Sequence, residues 1–193
     1  ATPVAAALRR AFPESHITWV VERKCADVVL GNPFVDDVVV WERRKTGNVA
    51  GDLRRLIASL FQLRKQMRKR DYDVCLDLQG RIRSAAVSWA SGAALRVGFA
   101  DGEEGSPLAY HVRYRPESDV TAQQRNLDLL KMIGVNSTDT AMHMPLTDDD
   151  RRFAQEFIEK SGLGGRRIVA FLPATTWPFL KFSINPVRFI NSS

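Results

Sequence analysis

Cysteine is scarce in this sequence, and its two cysteines, Cys25 and Cys75, stand far apart. Neither belongs to a Cys-x-x-Cys pair or to a cysteine and histidine cluster, so the sequence suggests neither a zinc site nor a disulfide framework. Long hydrophobic runs are also missing, because no apolar stretch approaches the roughly 20 residues that cross a bilayer. The residues from Ala1 to Val4 have neither a starting Met nor a signal-peptide profile, so we expect the chain to begin inside a longer protein. These absences favour a globular domain in a reducing cytoplasm.

Familiar catalytic motifs are missing as well. The sequence contains no Gly-x-Ser-x-Gly, no Walker loop, no His-Glu-x-x-His and no Gly-x-Gly-x-x-Gly. The three histidines, His16, His111 and His143, are scattered, and the adjacent carboxylates of Asp36-Asp37 are not predicted to converge as an acid and base pair. The residues present therefore include no complete catalytic set.

Basic residues are concentrated in one segment of the chain. The 193 residues carry a net charge of +6, but the stretch from Arg43 to Arg70 has ten basic residues and one acid, Asp52. A local basic segment on a mildly acidic body favours one anionic partner over general binding to polyanions. The simpler alternative is that these side chains form the solvated face of a helix.

Apolar runs of strand length alternate with stretches of helical period, a pattern typical of βαβ units with a parallel sheet covered by helices on both faces. The pattern predicts helices over 1–11, 23–30, 52–70, 81–91, 120–133 and 148–161, and strands over 17–21, 37–41, 72–78, 95–99, 110–114 and 167–172. Apolar spacing predicts that the helix over 52–70 buries Leu53, Leu56, Ile57, Leu60 and Met67. The helix over 81–91 is predicted to turn Ile82, Ala85, Ala86 and Trp89 inward.

Ligands of open α/β sheets bind beyond the carboxyl ends of the strands, and this rule selects three segments. The first is Asp77 to Arg81, where a glycine turn precedes a helix whose free N–H groups and nearby Arg81 and Arg83 would attract an anion. The second is the loop over 42–45, whose arginines could clamp phosphate or carboxylate. The third is the loop over 173–177. For each segment a purely structural role stays an alternative, with Asp77 capping the helix and Gln79 closing the turn.

Short segments with a characteristic order run along most of the chain. They are Ala7-Leu8-Arg9-Arg10-Ala11-Phe12-Pro13, Ile17-Thr18-Trp19-Val20-Val21-Glu22, Asn32-Pro33, Val35-Asp36, Tyr72-Asp73-Val74, Asp77-Leu78-Gln79-Gly80, Arg83-Ser84-Ala85, Gly98-Phe99, Glu104-Gly105-Ser106, Ala109-Tyr110 and Pro173-Ala174-Thr175-Thr176-Trp177. From about Ala1 to Pro178, their order and spacing resemble glycosyltransferase family 9, the ADP-heptose:lipopolysaccharide heptosyltransferases.

The resemblance implies a GT-B fold, with an N-terminal Rossmann-like acceptor domain over 1–172 whose first strand and loop would precede Ala1. Residues 173–193 would begin the linker to a donor domain that would follow Ser193. The family inverts the anomeric centre without a metal or other cofactor, and its catalytic base would also precede Ala1. The fragment alone is therefore expected to be inactive.

The resemblance also assigns roles to individual residues. Acceptor phosphates and acidic sugars would bind Arg43, Arg44 and Lys45, while Gln79, Gly80 and Arg83 would form the floor of the acceptor cleft. Thr175, Thr176 and Lys181 would lie on the donor side or between the domains. Two positions depart from the family pattern: Leu180 stands where a lysine is usual, and the helix starting Thr121-Ala122-Gln123-Gln124-Arg125 keeps the arginine but lacks a histidine.

The implied function is transfer of heptose from ADP-heptose to the lipid-linked inner core of lipopolysaccharide, in the cytoplasm and with peripheral contact at the inner membrane. Nucleic acid is not an expected partner. Two alternatives stay open: a non-catalytic module whose basic segment binds an anionic surface, and another GT-B transferase that uses a different sugar nucleotide.

Overall fold

A computed structural model describes residues 1–41 and 49–169 of the chain. Within these ranges, helices and strands alternate as α1 (Thr2–Ala11), β1 (Thr18–Glu22), β2 (Asp37–Trp41), α2 (Val49–Met67), β3 (Val74–Leu76), α3 (Ile82–Ser91), β4 (Leu95–Phe99), β5 (Val112–Tyr114), α4 (Ala122–Asp128) and α5 (Asp148–Lys160). Short 3₁₀ helices lie at Arg23–Val28, Ser106–Ala109 and Leu129–Ile133. The predicted helices and strands inside the described ranges are therefore present, with shifts of a few residues at their ends.

All strand pairings among the described residues are parallel, which confirms the predicted α/β fold class. They form two sheets: β1 pairs with β2, and β4 lies between β3 and β5. The hydroxyl of Tyr72, just before β3, donates to Thr18 Oγ1 at 3.1 Å. This bond holds the amino ends of β1 and β3 near each other, although no strand pairing joins the two sheets.

The chain divides into two compact units, Ala1–Pro145 and Leu146–Ser193. The acceptor domain over 1–172 that the resemblance implies stays a prediction. In the second unit, α5 begins with a capping box in which Thr147 and Asp150 satisfy each other's backbone N–H groups, as the predicted cap at Thr147 required. Of the predicted strand over 167–172, the described residues 167–169 form no strand, so the prediction is wrong there. Residues 170–172 and the segment over 173–193 lie outside the described residues.

The core of the first unit is built on small helix residues packed against large sheet and helix residues. Val4 and Ala7 of α1 pack with Leu127, Leu130 and Val135. A neighbouring cluster of Val97, Phe99 and Leu129 lies against β4. Because alanine side chains are short, α1 approaches its neighbours closely and is buried from Thr2 to Ala7.

The buried face of α2 differs from the predicted one. Leu63, which the spacing argument omitted, is buried with Met67 against Val39 of β2. Ile57, which the argument placed in the core, is 46% exposed. The prediction was wrong at Ile57 because the spacing of apolar residues along a helix does not show which of them the neighbouring helices and strands cover.

The inward face of α3 is made of small residues. Ala85 and Ser88 are buried, whereas Ile82 and Trp89 are exposed, so the prediction for those two was wrong. Small side chains allow a helix to lie close to a sheet, and the larger apolar side chains are then left on the outer face. Gly92 ends the helix as predicted, with φ +72°.

Candidate functional site

Two loops meet at the carboxyl edge of the three-stranded sheet. The loop from Asp77 to Arg81 follows β3, and the loop from Asp101 to Gly105 follows the adjacent strand β4. The backbone carbonyl of Gly80 accepts the N–H of Glu103 at 2.8 Å, which joins the loops directly. The parallel pairing thus brings together the segment that the sequence selected and an acidic loop that it did not connect to it.

Asp77 organises the first loop from a buried position, with 5% of its surface exposed. Its Oδ1 accepts the backbone N–H groups of Gln79 at 2.9 Å and Gly80 at 3.1 Å. Its Oδ2 accepts the Tyr110 hydroxyl at 2.7 Å. Asp77 therefore closes the turn, which was the expected structural role for Gln79, and does not cap α3.

The backbone of Gly80 is fixed from the opposite side. Gly80 has φ +68°, a left-handed conformation that glycine adopts without strain. The buried Ser106 hydroxyl donates to the Gly80 carbonyl at 2.8 Å. A Cβ at Gly102 would overlap the Ser106 hydroxyl, so this position also needs glycine. The Gln79-Gly80 turn is consequently held by three groups that lie at least 20 residues away in the sequence: Glu103, Ser106 and Tyr110.

Carboxylates from the second loop lie at the start of α3. The N–H of Ile82 donates to Glu104 Oε2 at 3.3 Å, and the Arg81 guanidinium pairs with Glu103 at 3.0 Å. The expectation that this helix start offers a free N–H to an anion is therefore wrong at Ile82. Gln79 and Arg83 differ from these groups, because neither side chain has a hydrogen-bond or ion-pair partner within residues 1–41 and 49–169.

Arg125 of α4 supports the second loop. Its guanidinium pairs with Asp101 at 2.8 Å and lies over the ring of the buried Phe99, 4.1 Å from the ring centre. An ion pair combined with a cation–π contact fixes the planar guanidinium in orientation as well as position. The arginine that the helix keeps from the family pattern thus connects α4 to the carboxyl edge of β4.

Burial raises the pKa of the Tyr110 hydroxyl far above that of an ordinary tyrosine, and its hydrogen bond to the Asp77 carboxylate raises that pKa further. The folded protein therefore keeps this proton at a pH where an unfolded chain, with a tyrosine pKa of about 10, releases it. The stability contributed by Tyr110 is fully present below about pH 10 and is lost as the pH rises above that value.

Replacing Tyr110 with Phe tests this link. At neutral pH we expect the free energy of unfolding to fall by about 1–3 kcal/mol, because Asp77 Oδ2 loses its buried donor. Above about pH 10 the parent protein should lose stability by up to ~1.4 kcal/mol per pH unit more steeply than the variant. Urea unfolding from pH 7 to 11 measures both effects, and parallel pH profiles of the two proteins would contradict the assignment.

The structure brings together only some of the residues that the sequence proposed. Gln79, Gly80 and Arg83 lie at the carboxyl edge of β3, as expected. The basic loop Arg43, Arg44 and Lys45 and the donor-side residues Thr175, Thr176 and Lys181 lie outside the described residues. Ser106 and Tyr110 belong to the segments that match the family, but the sequence predicted no role for them. Their partners, Gly80 and Asp77, are distant along the chain.

Comparison with known proteins decides the family. Residues 60–184 match the profile of glycosyltransferase family 9 (heptosyltransferase). The chain belongs to this family. The lipopolysaccharide core heptosyltransferase OpsX of Haemophilus influenzae is 22% identical over 152 residues, which cover 78% of this chain and 41% of that protein.

Solved structures of family 9 proteins match the fold. A glycosyl transferase family 9 protein from Veillonella parvula has a TM-score of 0.68 and 25% identity, over 85% of this chain and 45% of that one. The E. coli heptosyltransferase WaaC, solved with ADP-2-deoxy-2-fluoro heptose, has a TM-score of 0.58 and 23% identity, over 82% of this chain and 49% of that one. This chain therefore spans less than half the length of each of these relatives.

Neither a metal-binding cluster nor a membrane-spanning helix is present among the described residues. In residues 1–41 and 49–169, no three His, Cys, Asp or Glu side chains are grouped so as to hold a metal ion. None of the helices in the same ranges combines the length and hydropathy that a bilayer crossing requires.

Proposed function

We propose that this chain is the acceptor-binding part of a cytoplasmic transferase that moves heptose from ADP-heptose to the inner core of lipopolysaccharide. The proposal rests on the family match and on the resemblance to OpsX and WaaC. The reaction proposed needs no metal or other cofactor. The catalytic base and the donor domain are proposed to lie in parts of the intact enzyme that this sequence does not include.

The observation that carries the acceptor role is the braced turn at Gln79-Gly80. Asp77, Ser106 and Tyr110 fix its backbone from both sides, while the Gln79 side chain is exposed and Arg83 is half-buried without an anionic partner in the described ranges. A rigid turn that presents an amide and a guanidinium can bind a sugar hydroxyl and an anionic group in a fixed orientation. Such positioning is what attack by an acceptor hydroxyl on a sugar nucleotide requires.

The donor side of the proposal concerns Thr175, Thr176 and Lys181. Hydroxyl and ammonium groups are suited to bind a diphosphate, and WaaC was solved with ADP and with an ADP-heptose analogue. In the intact enzyme these residues are proposed to face the nucleotide.

The division of the strands into two sheets supports the proposal of a further strand before Ala1. Within the described residues, β1 pairs only with β2 and β3 pairs only with β4, while the Tyr72 to Thr18 bond keeps their amino ends close. Neighbouring strands lie about 4.8 Å apart, so one parallel strand between β1 and β3 would join the two sheets into one. Such a central strand would also direct its following loop to the same carboxyl edge as Asp77.

Binding of a phosphorylated inner-core analogue tests the acceptor role. We expect Arg83→Ser and Gln79→Ala each to weaken binding by about tenfold or more, because each removes a hydrogen-bonding group from the cleft floor. The matched control is Arg113→Ser, since Arg113 is an exposed arginine on β5. Isothermal titration calorimetry of the four proteins measures the effect. Equal affinities for the parent protein, Gln79→Ala and Arg83→Ser would overturn the assignment of this cleft.

A further inference from the structure

The outer face of α2 combines exposed apolar and basic side chains in one stripe. Ile57, Phe61, Arg64 and Arg68 follow the i, i+4, i+7, i+11 spacing, which places them along one side of the helix. Phe61 is 66% exposed and Ile57 is 46% exposed. Leu63 and Met67, which are buried, lie on an adjoining side of the helix, roughly a quarter turn or more from the stripe. The stripe therefore borders the buried face and exposes apolar side chains to solvent.

The stripe continues onto α3 through Trp89. Trp89 is 56% exposed, and the Arg64 guanidinium lies over its ring, 4.7 Å from the ring centre. Arg68 also reaches the end of α3, since its side chain lies 3.9 Å from the place that a Cβ on Gly92 would take. We call the surface formed by Ile57, Phe61, Arg64, Arg68 and Trp89 the outer patch.

The charge around the outer patch has one sign. From Arg54 to Arg70 the sequence has seven basic residues and no acid, and α3 contains no acid either. Arg54, Lys65 and Lys69 are exposed and form no ion pair within the described residues, whereas Arg70 pairs with Asp37. The unpaired cations therefore flank the apolar side chains on α2 and face solvent with them.

We propose that the outer patch docks this protein on the surface of a bilayer that contains anionic phospholipid. Aromatic and aliphatic side chains at the centre can enter the boundary between headgroups and acyl chains, while the surrounding lysines and arginines bind lipid phosphates. Charge complementarity selects this occupant over a neutral protein surface.

The docking surface deepens the proposed function, since a lipid-linked acceptor would be reached at a membrane. Only the biological role of the docking surface depends on the proposed function. Binding to vesicles and binding of a soluble acceptor analogue are separate measurements. A failure of one therefore leaves the other to be judged independently.

Cosedimentation of the full chain with vesicles tests the proposal. We expect binding to mixed phosphatidylcholine and phosphatidylglycerol vesicles, and binding at least about tenfold weaker to pure phosphatidylcholine. Phe61→Ser with Trp89→Ser should reduce binding to the mixed vesicles by about tenfold, and Arg54→Ser with Lys65→Ser and Arg68→Ser by about tenfold or more. Both variants change only surface side chains and should leave the thermal unfolding curve nearly unchanged.

Matched controls come from exposed residues elsewhere. Phe153 and Phe157 on α5 are 73% and 57% exposed, so their double serine variant also removes two exposed aromatic side chains. Lys24, Arg152 and Lys160 are exposed cations whose triple serine variant changes the net charge equally. Both controls should bind mixed vesicles like the parent. Equal losses in the controls and the patch variants would overturn the proposal, since they would show attraction by net charge or general hydrophobicity.

Trp89 also provides a spectroscopic test. On mixed vesicles the tryptophan emission of the parent protein should shift to shorter wavelength and be quenched by brominated lipid, and most of this change should be missing in Trp89→Phe. An identical change in both proteins would show that Trp89 does not enter the bilayer. Tight binding of an oligonucleotide that displaces the vesicles and depends on the same patch residues would instead assign the surface to nucleic acid.

Discussion

Replacing Arg43, Arg44 and Lys45 together with serine should weaken binding of a phosphorylated inner-core analogue by at least about 4.5 kcal/mol, or more than about a thousandfold in Kd. The reason is that each charge-assisted hydrogen bond to a phosphate or carboxylate contributes roughly 1.5–3 kcal/mol. These residues follow β2, which ends at Trp41, and loops after parallel strands face the ligand side of the sheet. The free energy of unfolding should barely change. Calorimetry at low and moderate salt measures the affinity.

The matched control replaces Arg54, Arg55 and Lys69, which are exposed on and just after α2. This control should matter far less for a soluble analogue, because a direct clamp persists in salt whereas attraction beyond about 10 Å is screened at 0.1 M. Equal losses in both triple variants, vanishing together as salt is added, would show a diffuse basic surface in place of an acceptor clamp.

Gly98→Ala should lower the free energy of unfolding of the first unit by about 4 kcal/mol. A Cβ at this position in β4 would overlap the ring of Tyr110, which is buried and hydrogen-bonded to Asp77. Overfilling a packed site costs roughly 1–3 kcal/mol, and displacing the ring would also leave the Asp77 carboxylate without its donor, at a cost of a further 1–3 kcal/mol. Urea unfolding monitored by circular dichroism measures the loss.

The sign of the change in unfolding free energy distinguishes steric overlap with Tyr110 from the intrinsic preference of a strand for alanine over glycine. An alanine in a strand is otherwise favoured over glycine by roughly 0.5–1 kcal/mol, so an unobstructed site would be stabilised. Gly164→Ala serves as the control, because an added Cβ there meets no atom within 4 Å. It should change stability by less than about 0.5 kcal/mol. A neutral or stabilising effect of Gly98→Ala would contradict the packing of Tyr110 against β4.

Features that depend on neighbours along the chain could be predicted from the sequence. Gly92 and Gly134 follow their helices in the left-handed conformation, and the Thr147 side chain caps α5, as residue type and position indicated. The alternation of strands and helices gave the parallel α/β class, and the strand before Asp77 placed that loop at a carboxyl edge. These inferences hold because backbone preferences and capping bonds act within a few residues.

The contacts of the candidate site could not be predicted in this way. The sequence indicated roles for Asp77 and Gln79 but none for Tyr110. The hydrogen bond between Tyr110 and Asp77 spans 33 positions, so no local pattern predicts it. The sequence left the start of α3 free for an anion, whereas Glu104 lies there. Both contacts arise because β4 lies beside β3 and brings its following loop to the same edge, a relation set by strand pairing over long sequence distances.

The sequence by itself determined the fold class, the caps and the position of the Asp77 loop, since each follows from local preference and hydrophobic pattern. Only the tertiary structure decided which helix faces are buried. In α2 it buried Leu63 and exposed Ile57, and in α3 it buried Ser88 and exposed Trp89. The physical reason is that burial depends on which side of a helix meets its neighbours and on how closely the helix approaches them. In α3, small residues permit a close approach to the sheet, and the large apolar side chains are left on the outer surface.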